Sequence, residues 1–146
     1  MDIREFYETF PYPPRNAAEV PRISGPPSDF AAINHYVFGG RWARDRPFRV
    51  LVAGCGTGIG LPAFARQMAD AGVPFSMRCI DVSEASLGVA RARADAAGLS
   101  EFTDFQCLPI EALETETAEV FDYIDLTGVL NHVEDPERVL DVLRHV

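Results

Sequence analysis

The sequence predicts an α/β fold, with a parallel sheet of about four strands in the spatial order 3-2-1-4, flanking helices and a helical cap at the N terminus. Two observations predict it. Short apolar runs, each long enough for a buried strand, end near residues 53, 81, 107 and 126. Segments with helical spacing of apolar residues separate most of these runs, and this alternation is typical of a parallel sheet. We expect the ligand crevice where the strand order reverses, between the first and fourth strands.

The first strand and the loop after it form the stretch 49–60, with the sequence RVLVAGCGTGIG. A continuous apolar run that ends in alternating glycines is typical of a buried strand that meets a sharp turn. The segment 61–71 then has no glycine and carries Pro62 where the first turn of a helix tolerates proline. Glycines leave the main chain open to close approach, so we expect several backbone N–H groups of this loop to face a ligand.

The spacing of these glycines excludes three common motifs. The dinucleotide fingerprint G-x-G-x-x-G fails, because Ile59 and Leu61 stand where its third glycine could fall. A P-loop needs a lysine, and the chain contains none. A nucleophile elbow needs Ser or Cys at its centre, where this chain has Gly56. A nicotinamide oxidoreductase is therefore a disfavoured third hypothesis.

The pattern that is present, VLVAGCGTG, resembles motif I of the class I S-adenosylmethionine (SAM)-dependent methyltransferases, whose fold is Rossmann-like. The resemblance covers residues 46–146, roughly the first four strands of a seven-stranded domain, so we expect a domain that is incomplete relative to the family. The family usually has an acidic residue two places before the first glycine, where it orients the loop and faces the amino group of methionine. Val52 stands there in this chain, so that end of the ligand would be held differently.

The second predicted strand, 74–81, ends in Asp81, and Ser83 then caps the next helix. An acidic residue that closes the second strand can accept hydrogen bonds from a ribose diol. Val82 would pack against one face of adenine. A solvent-facing strand end is the alternative for Asp81, but the glycine loop upstream favours the ribose.

One departure from the family, a fourth strand and a last helix follow further along the chain. After the third strand, 102–107, Leu108 stands where the family commonly has an acidic residue near the adenine amino group. A backbone N–H or Glu111 would have to make that contact. The fourth strand, 121–126, resembles motif IV of the family. The last helix begins at 135–136, and its expected inward residues are Val139, Leu140 and Leu143.

Residues 127–132 (TGVLNH) resemble the segment that follows motif IV and carry the candidate catalytic groups. Methyl transfer from a sulfonium mainly requires donor and acceptor to be held in line, so no catalytic triad is needed. If the acceptor is a hydroxyl or a protonated amine, His132 is the candidate general base, and Asn131 could donate or accept at the acceptor group. A histidine bonded to the backbone is the alternative. The other histidines lack the spacing of metal ligands, so no metal site is predicted.

Residues 1–46 contain aromatic and proline-rich stretches without strand alternation, so we interpret them as a cap on a SAM-binding domain at 47–146. Helices are predicted at 2–10 and after residue 29. The stretch 12–15 resembles segments that precede the domain in some bacterial methyltransferases. By that resemblance Tyr12 and Arg15 would reach the cofactor carboxylate or the substrate, and a packed lid with an exposed arginine is the alternative.

The chain has 22 acidic residues against 13 basic ones and a formal net charge of −9 at pH 7. An acidic body without basic clusters argues against nucleic acid and anionic membranes as partners. The three cysteines lack C-x-x-C spacing, and the chain shows no long apolar segment and no signal peptide. These features predict a cytoplasmic protein with reduced thiols.

The main hypothesis is a SAM-dependent methyltransferase domain that acts on an unidentified small-molecule or protein acceptor. The residues assigned to the cofactor SAM are Ala53, Gly54, Cys55, Gly56, Gly58, Asp81, Val82, Leu108, Leu126, Thr127, Tyr12 and Arg15. The second hypothesis is a non-catalytic SAM-fold module, or a truncated fragment, that acts through a partner. The edge of the fourth strand and the apolar face of the last helix would then be open to a second copy or to a missing C-terminal part.

Overall fold

The computed structural model describes residues 2–12, 28–42, 45–116 and 119–146. Its strands form one parallel four-stranded sheet in the order β3-β2-β1-β4, which confirms the predicted fold class and strand order. The strands are β1 (Phe48–Ala53), β2 (Phe75–Asp81), β3 (Thr103–Cys107) and β4 (Tyr123–Asp125). The helices are α1 (Ile3–Thr9), α2 (Phe30–Phe38), α3 (Leu61–Asp70), α4 (Glu84–Ala96), α5 (Leu113–Glu116) and α6 (Pro136–Leu143).

The helices begin where side chains or prolines favour them. The carboxylates of Asp29 and Asp135 accept hydrogen bonds from the first turns of α2 and α6, and the hydroxyl of Ser83 does so for α4. Pro62 and Pro136 lie in first turns, where a missing backbone N–H removes no bond. These starts fix where each helix leaves the sheet edge.

An apolar cluster lies on each face of the sheet. On one face, Phe48 and Val50 of β1 pack with Phe64 and Met68 of α3, and Phe30 of α2 joins them with its ring 5.3 Å from that of Phe48. On the other face, the alternate residues of β1 and β2 meet α5 and α6. Each large side chain fully buried there contributes about 2 kcal/mol relative to exposure.

The structure corrects the expected packing of the last helix. Leu140 points outward and is 51% exposed, whereas Val142 is buried with Val139 and Leu143. The prediction placed Leu140 inward because positions 140 and 142 each fit a helical stripe with 139 and 143. Only the position of the sheet decides between them. The apolar face of α6 was expected to be open. It is instead packed against the second cluster.

The fourth strand is shorter than predicted. It covers Tyr123–Asp125 instead of 121–126, and among the described residues it pairs with β1 alone. Its start is fixed by Asp122, which accepts hydrogen bonds from the guanidinium of Arg46 at 2.8 and 2.9 Å and from the backbone N–H of Arg49 at 2.9 Å.

Within the described ranges, no helix is long and apolar enough to cross a bilayer.

Candidate functional site

The carboxyl ends of the strands open onto a cavity of 750 Å³. Its wall joins the glycine loop after β1, the end of β2, the turn after β3 and the segment after β4, with α1 and Tyr12 across the top. A second cavity of 470 Å³ lies on the α3 side of the same loop. Both volumes are in the range of small-molecule sites in proteins.

The glycine loop has a backbone that side chains would disrupt. Gly54 has φ +72° and Gly56 has φ +53°, both in the left-handed region that favours glycine. A Cβ on Gly54 would lie 2.5 Å from the side chain of Val129, and one on Gly56 would lie 2.7 Å from the carbonyl oxygen of Tyr12. Neighbouring segments therefore approach the main chain of this loop directly.

The expectation that the N–H groups of this loop are open to a ligand is wrong for 54–58. The N–H groups of Gly54 and Cys55 both donate to the carbonyl of Ile80, at 2.8 and 2.9 Å, and extend the pairing of β1 with β2. The N–H of Thr57 donates to the carbonyl of Tyr12 at 3.1 Å. The loop therefore offers a ligand close approach to its backbone rather than a nest of free donors.

Asp81 fixes the loop to the end of β2. One of its carboxylate oxygens accepts from the N–H of Gly56 at 2.8 Å, and the other accepts from the N–H of Ser83 at 3.0 Å. A carboxylate oxygen has more than one lone pair, so both atoms can still accept from a ligand in the cavity that Asp81 lines. Asp81 is thus an acceptor at the cavity wall and a support of the loop.

A buried arginine supports the loop from below. Arg93 of α4 is 1% exposed, and its Nη1 donates to the carbonyl of Thr57. Thr57 is itself buried. In the sequence, Arg93 is one of two arginines on the helix α4, and nothing there indicates that it is the one buried under the loop.

The N-terminal segment covers the loop. The carbonyl of Tyr7 accepts from the Ser83 hydroxyl at 3.1 Å, and the Glu8 carboxylate accepts from the N–H of Ala85 at 3.4 Å. Burial, with the charge of Asp81 and the neighbouring Tyr12, raises the pKa of Tyr7. Tyr12 lines the cavity, whereas Arg15 lies outside the described residues.

The residues that were predicted to lie beside adenine line the large cavity. Val82 and Leu108 contribute apolar surface to it, and Glu111 also lies in its wall. The N–H of Leu108 donates to the carbonyl of Asp81 at 3.0 Å. The expected substitutes for the missing acidic residue were a backbone N–H or the side chain of Glu111. The N–H of Leu108 is already bonded and Pro109 has none, so Glu111 is the substitute that these contacts favour.

His132 and Thr127 stand at the opposite wall of this cavity. His132 ends a 3₁₀ turn, Leu130–His132, and its ring lies edge-on to Tyr7 at 6.1 Å. The side-chain nitrogen of Asn131 lies 3.0 Å from Nε2 of His132, but Asn131 is outside the cavity wall. The structure thus brings His132 to the cavity and places Asn131 behind it.

The smaller cavity contains polar side chains that the motif comparison missed. Ser28, Gln67 and Asp125 line it, together with Ala53, Gly58 and part of the loop. The Ser28 hydroxyl donates to Asp125, and the N–H of Phe30 donates to Gln67 at 2.8 Å. Leu126, predicted to contact the cofactor, instead packs in the second apolar cluster.

The family model for a methyltransferase domain matches residues 51–146 of this chain. The chain belongs to the methyltransferase domain family. This confirms the resemblance on which the class I SAM-dependent methyltransferase prediction was based.

Curated relatives of this methyltransferase domain are longer than the chain. An uncharacterized protein of Synechococcus sp. is 32% identical over an alignment 146 residues long, which covers 97% of this chain and 33% of that protein. A ubiquinone biosynthesis O-methyltransferase of Bordetella avium is 36% identical over 92 residues, which are 63% of this chain and 35% of that enzyme. The chain spans about a third of the length of these relatives.

Solved structures share the fold of the domain. The crystal structure of the [4+2]-cyclase SpnF is 28% identical, has a TM-score of 0.58, and matches 75% of this chain and 38% of its own. A SAM-dependent methyltransferase from Thiobacillus denitrificans, crystallised with S-adenosyl-L-homocysteine, is 22% identical. It has a TM-score of 0.55 and matches 99% of this chain and 52% of its own. These matches confirm a Rossmann-like methyltransferase fold.

The residues of this methyltransferase domain fit SAM. Gly54 and Gly56 present bare main chain in the wall of the large cavity. A carboxylate suited to a ribose and apolar side chains suited to a base line the same cavity, at Asp81, Val82 and Leu108. No group of three or more potential metal-binding side chains lies within the part of the chain that the structure describes.

Proposed function

We propose that the 750 Å³ cavity binds SAM and that the protein transfers its methyl group to an oxygen of a small-molecule acceptor. One observation carries this proposal: the glycine loop, Asp81 and His132 line the same cavity. A cofactor site and a candidate base in one cavity are what methyl transfer to a hydroxyl requires. The choice of oxygen is supported by the O-methyltransferases among the relatives, which are 33–38% identical to this chain.

The cavity wall divides the binding task between its residues. Asp81 would accept hydrogen bonds from the ribose hydroxyls, and Val82 and Leu108 would cover the faces of the adenine. Tyr12, whose carbonyl accepts from the N–H of Thr57, lines the cavity beside the glycine loop and would help to exclude water from it. Exclusion of water strengthens electrostatic contacts inside a site.

When bound, SAM supplies a methyl group on a positively charged sulfur. An acceptor hydroxyl must lose its proton as its oxygen forms the bond to that carbon. His132 would take this proton on a ring nitrogen and release it to solvent. The side-chain amide of Asn131 lies 3.0 Å from Nε2 of His132 and would orient the ring. Asn131 is in this proposal a positioning residue.

Binding and transfer are tested on the purified chain. Titration calorimetry with S-adenosylhomocysteine should show one site, and titration with NAD should show none. Absence of S-adenosylhomocysteine binding, or binding of NAD instead, would overturn the proposal.

Transfer is then measured with radiolabelled SAM and a panel of acceptors, namely catechols, thiols and amines. We expect label on the catechol oxygen, and a loss of about a hundredfold or more in kcat for His132→Ala. His145→Ala is the matched control, because His145 is also exposed and lies outside the cavity wall. Ligand binding without transfer to any acceptor would favour the non-catalytic module, which would act through the edge of β4.

A further inference from the structure

Val52 of β1 and Asp125 of β4 are direct partners in the sheet. Position 52 is where the resemblance to the methyltransferase family led us to expect an acidic residue facing the amino group of methionine. We infer that Asp125 supplies this carboxylate from the neighbouring strand and binds the ammonium group of SAM. The inference rests on the proposed function, since it assigns a contact within the same cofactor site.

The register of the strands places the two side chains on one face. In-register partners in parallel strands point to the same side of a sheet. On that side, Tyr123 of β4 packs against Phe64 of α3, with ring centroids 5.7 Å apart. Two residues further along β4, the carboxylate of Asp125 reaches the 470 Å³ cavity, which Val52 also lines. A charge on either strand would thus face the same space.

The two cavities share a wall. Gly54, Cys55, Ile59 and Thr127 line both of them. A ligand with its nucleoside beside Asp81 can therefore extend across the glycine loop toward Asp125. SAM has this form, since its amino-acid portion is attached to the nucleoside through sulfur.

The charge of Asp125 suits a cation. Its carboxylate accepts hydrogen bonds from the Ser28 hydroxyl and from the N–H of Thr127, the latter at 2.9 Å. Both donors are neutral, and among the described residues no arginine or histidine forms an ion pair with it. A half-buried carboxylate without a cationic partner favours a ligand that brings one.

The other carboxylate in the smaller cavity has a different role. Asp29 accepts from the N–H of Ala32 at 2.9 Å and caps α2. It precedes a helix rather than ending a strand beside the glycine loop. Asp29 therefore provides a control with the same charge in the same cavity.

The test compares two ligands that differ in the amino-acid portion. S-adenosylhomocysteine carries the ammonium group, whereas 5′-methylthioadenosine keeps the nucleoside and sulfur without it. In Asp125→Asn we expect binding of S-adenosylhomocysteine to weaken by about tenfold or more and binding of 5′-methylthioadenosine to stay unchanged. Asp29→Asn should bind both ligands as the wild type does, because asparagine also caps a helix.

A second variant tests the exchange between strands directly. Val52→Asp, introduced into Asp125→Asn, should restore much of the affinity for S-adenosylhomocysteine. Unchanged affinity in Asp125→Asn, or equal losses for both ligands, would overturn the ammonium contact alone. Failure of the wild-type chain to bind S-adenosylhomocysteine would overturn the proposed function as well, so the two failures are distinguishable.

Discussion

The N–H of Gly56 donates a hydrogen bond to the carboxylate of Asp81 across 2.8 Å. This bond joins the middle of the glycine loop to the end of the neighbouring strand. The same carboxylate also accepts from the N–H of Ser83 at the start of α4. The residue that the motif assigns to a ribose is thus also the residue that holds the loop in place.

We predict that this double role separates two substitutions of Asp81. Asp81→Asn keeps an acceptor oxygen for one N–H group, whereas Asp81→Ala removes every acceptor. Binding of S-adenosylhomocysteine should weaken about tenfold or more in Asp81→Ala and less in Asp81→Asn. Titration calorimetry of both variants checks this order. Equal affinities of the wild type and Asp81→Ala would contradict a role of this carboxylate in the site.

Substitution of Gly56 should release the N-terminal segment. Gly56→Ala places a methyl group against the carbonyl of Tyr12 and also forces alanine into a left-handed backbone. Gly98→Ala is the matched control, because its φ is +70° but nothing lies within 4 Å of its Cβ. The control should cost about 1 kcal/mol in the free energy of unfolding, and Gly56→Ala more.

Limited proteolysis reports the release itself. Trypsin should cut after Arg4 faster in Gly56→Ala than in Gly98→Ala. The new methyl group displaces the carbonyl of Tyr12, and this loosens the contacts that hold α1 over the sheet edge. Equal cutting rates in the two variants would show that the carbonyl of Tyr12 does not hold the segment.

The sheet and its order could be predicted from the sequence because each strand is a short apolar run that ends at a distinct signal. The glycines after Ala53 and the acidic Asp81 mark two of those ends. Both features depend on neighbours in the sequence, so they are visible without a structure. The same reasoning located the large cavity, since parallel strands bring their carboxyl ends to one edge.

Contacts between distant segments could not be predicted in this way. Three such contacts join residues 36 or more positions apart. They are the bond from the N–H of Thr57 to the carbonyl of Tyr12, the bond from Arg93 to the carbonyl of Thr57, and the bond from Ser28 to Asp125. Periodicity carries no information about such pairs. The position of Asp125 beside Val52 depends in addition on strand register, which the sequence does not state.

The stability contributed by Asp122 should depend on pH. Burial alone would raise the pKa of this carboxyl, but the hydrogen bonds and charges of Arg46 and Arg49 outweigh it and lower the pKa. The stabilisation is therefore fully present above about 3.9, the value in an unfolded chain, and is lost as the pH falls through the lower folded value. Asp122→Asn should lose about 2 kcal/mol at pH 7.

Urea unfolding at pH 7 and at pH 3 measures this dependence. The difference between wild type and Asp122→Asn should be smaller at pH 3. Asp70→Asn is the control, because the ion pair of Asp70 with Arg66 is exposed on α3 and its loss should change stability little at either pH. A difference that stays constant with pH would contradict the lowered pKa of Asp122.

The two leucines of α6 should differ sharply in their contribution to stability. Leu143 is 7% exposed and packs in the second apolar cluster, whereas Leu140 is 51% exposed. Leu143→Ala should cost about 3 kcal/mol in the free energy of unfolding, and Leu140→Ala less than about 0.5 kcal/mol. Chemical denaturation of the two variants checks the outward position of Leu140, and similar losses would place it in the core.

The three cysteines should react at different rates with a thiol reagent. Cys107 is exposed, Cys79 is buried, and Cys55 lines both cavities. The hydrogen bond with the Cys79 thiol and burial raise the pKa of Cys55 well above its usual value. The thiolate is the reactive form and Cys107 is the exposed thiol, so Cys107 should be labelled first at pH 8 and Cys55 only slowly.

Mass spectrometry of timed samples treated with iodoacetamide identifies which thiol reacts. Cys107→Ser should remove the fast phase and leave a slow one. Saturating S-adenosylhomocysteine should slow the labelling of Cys55 further, since a ligand against the glycine loop covers it, and should leave Cys107 unaffected. Rapid labelling of Cys55 in the native protein would contradict its raised pKa, and labelling of Cys55 that the ligand leaves unchanged would contradict its place beside the bound cofactor.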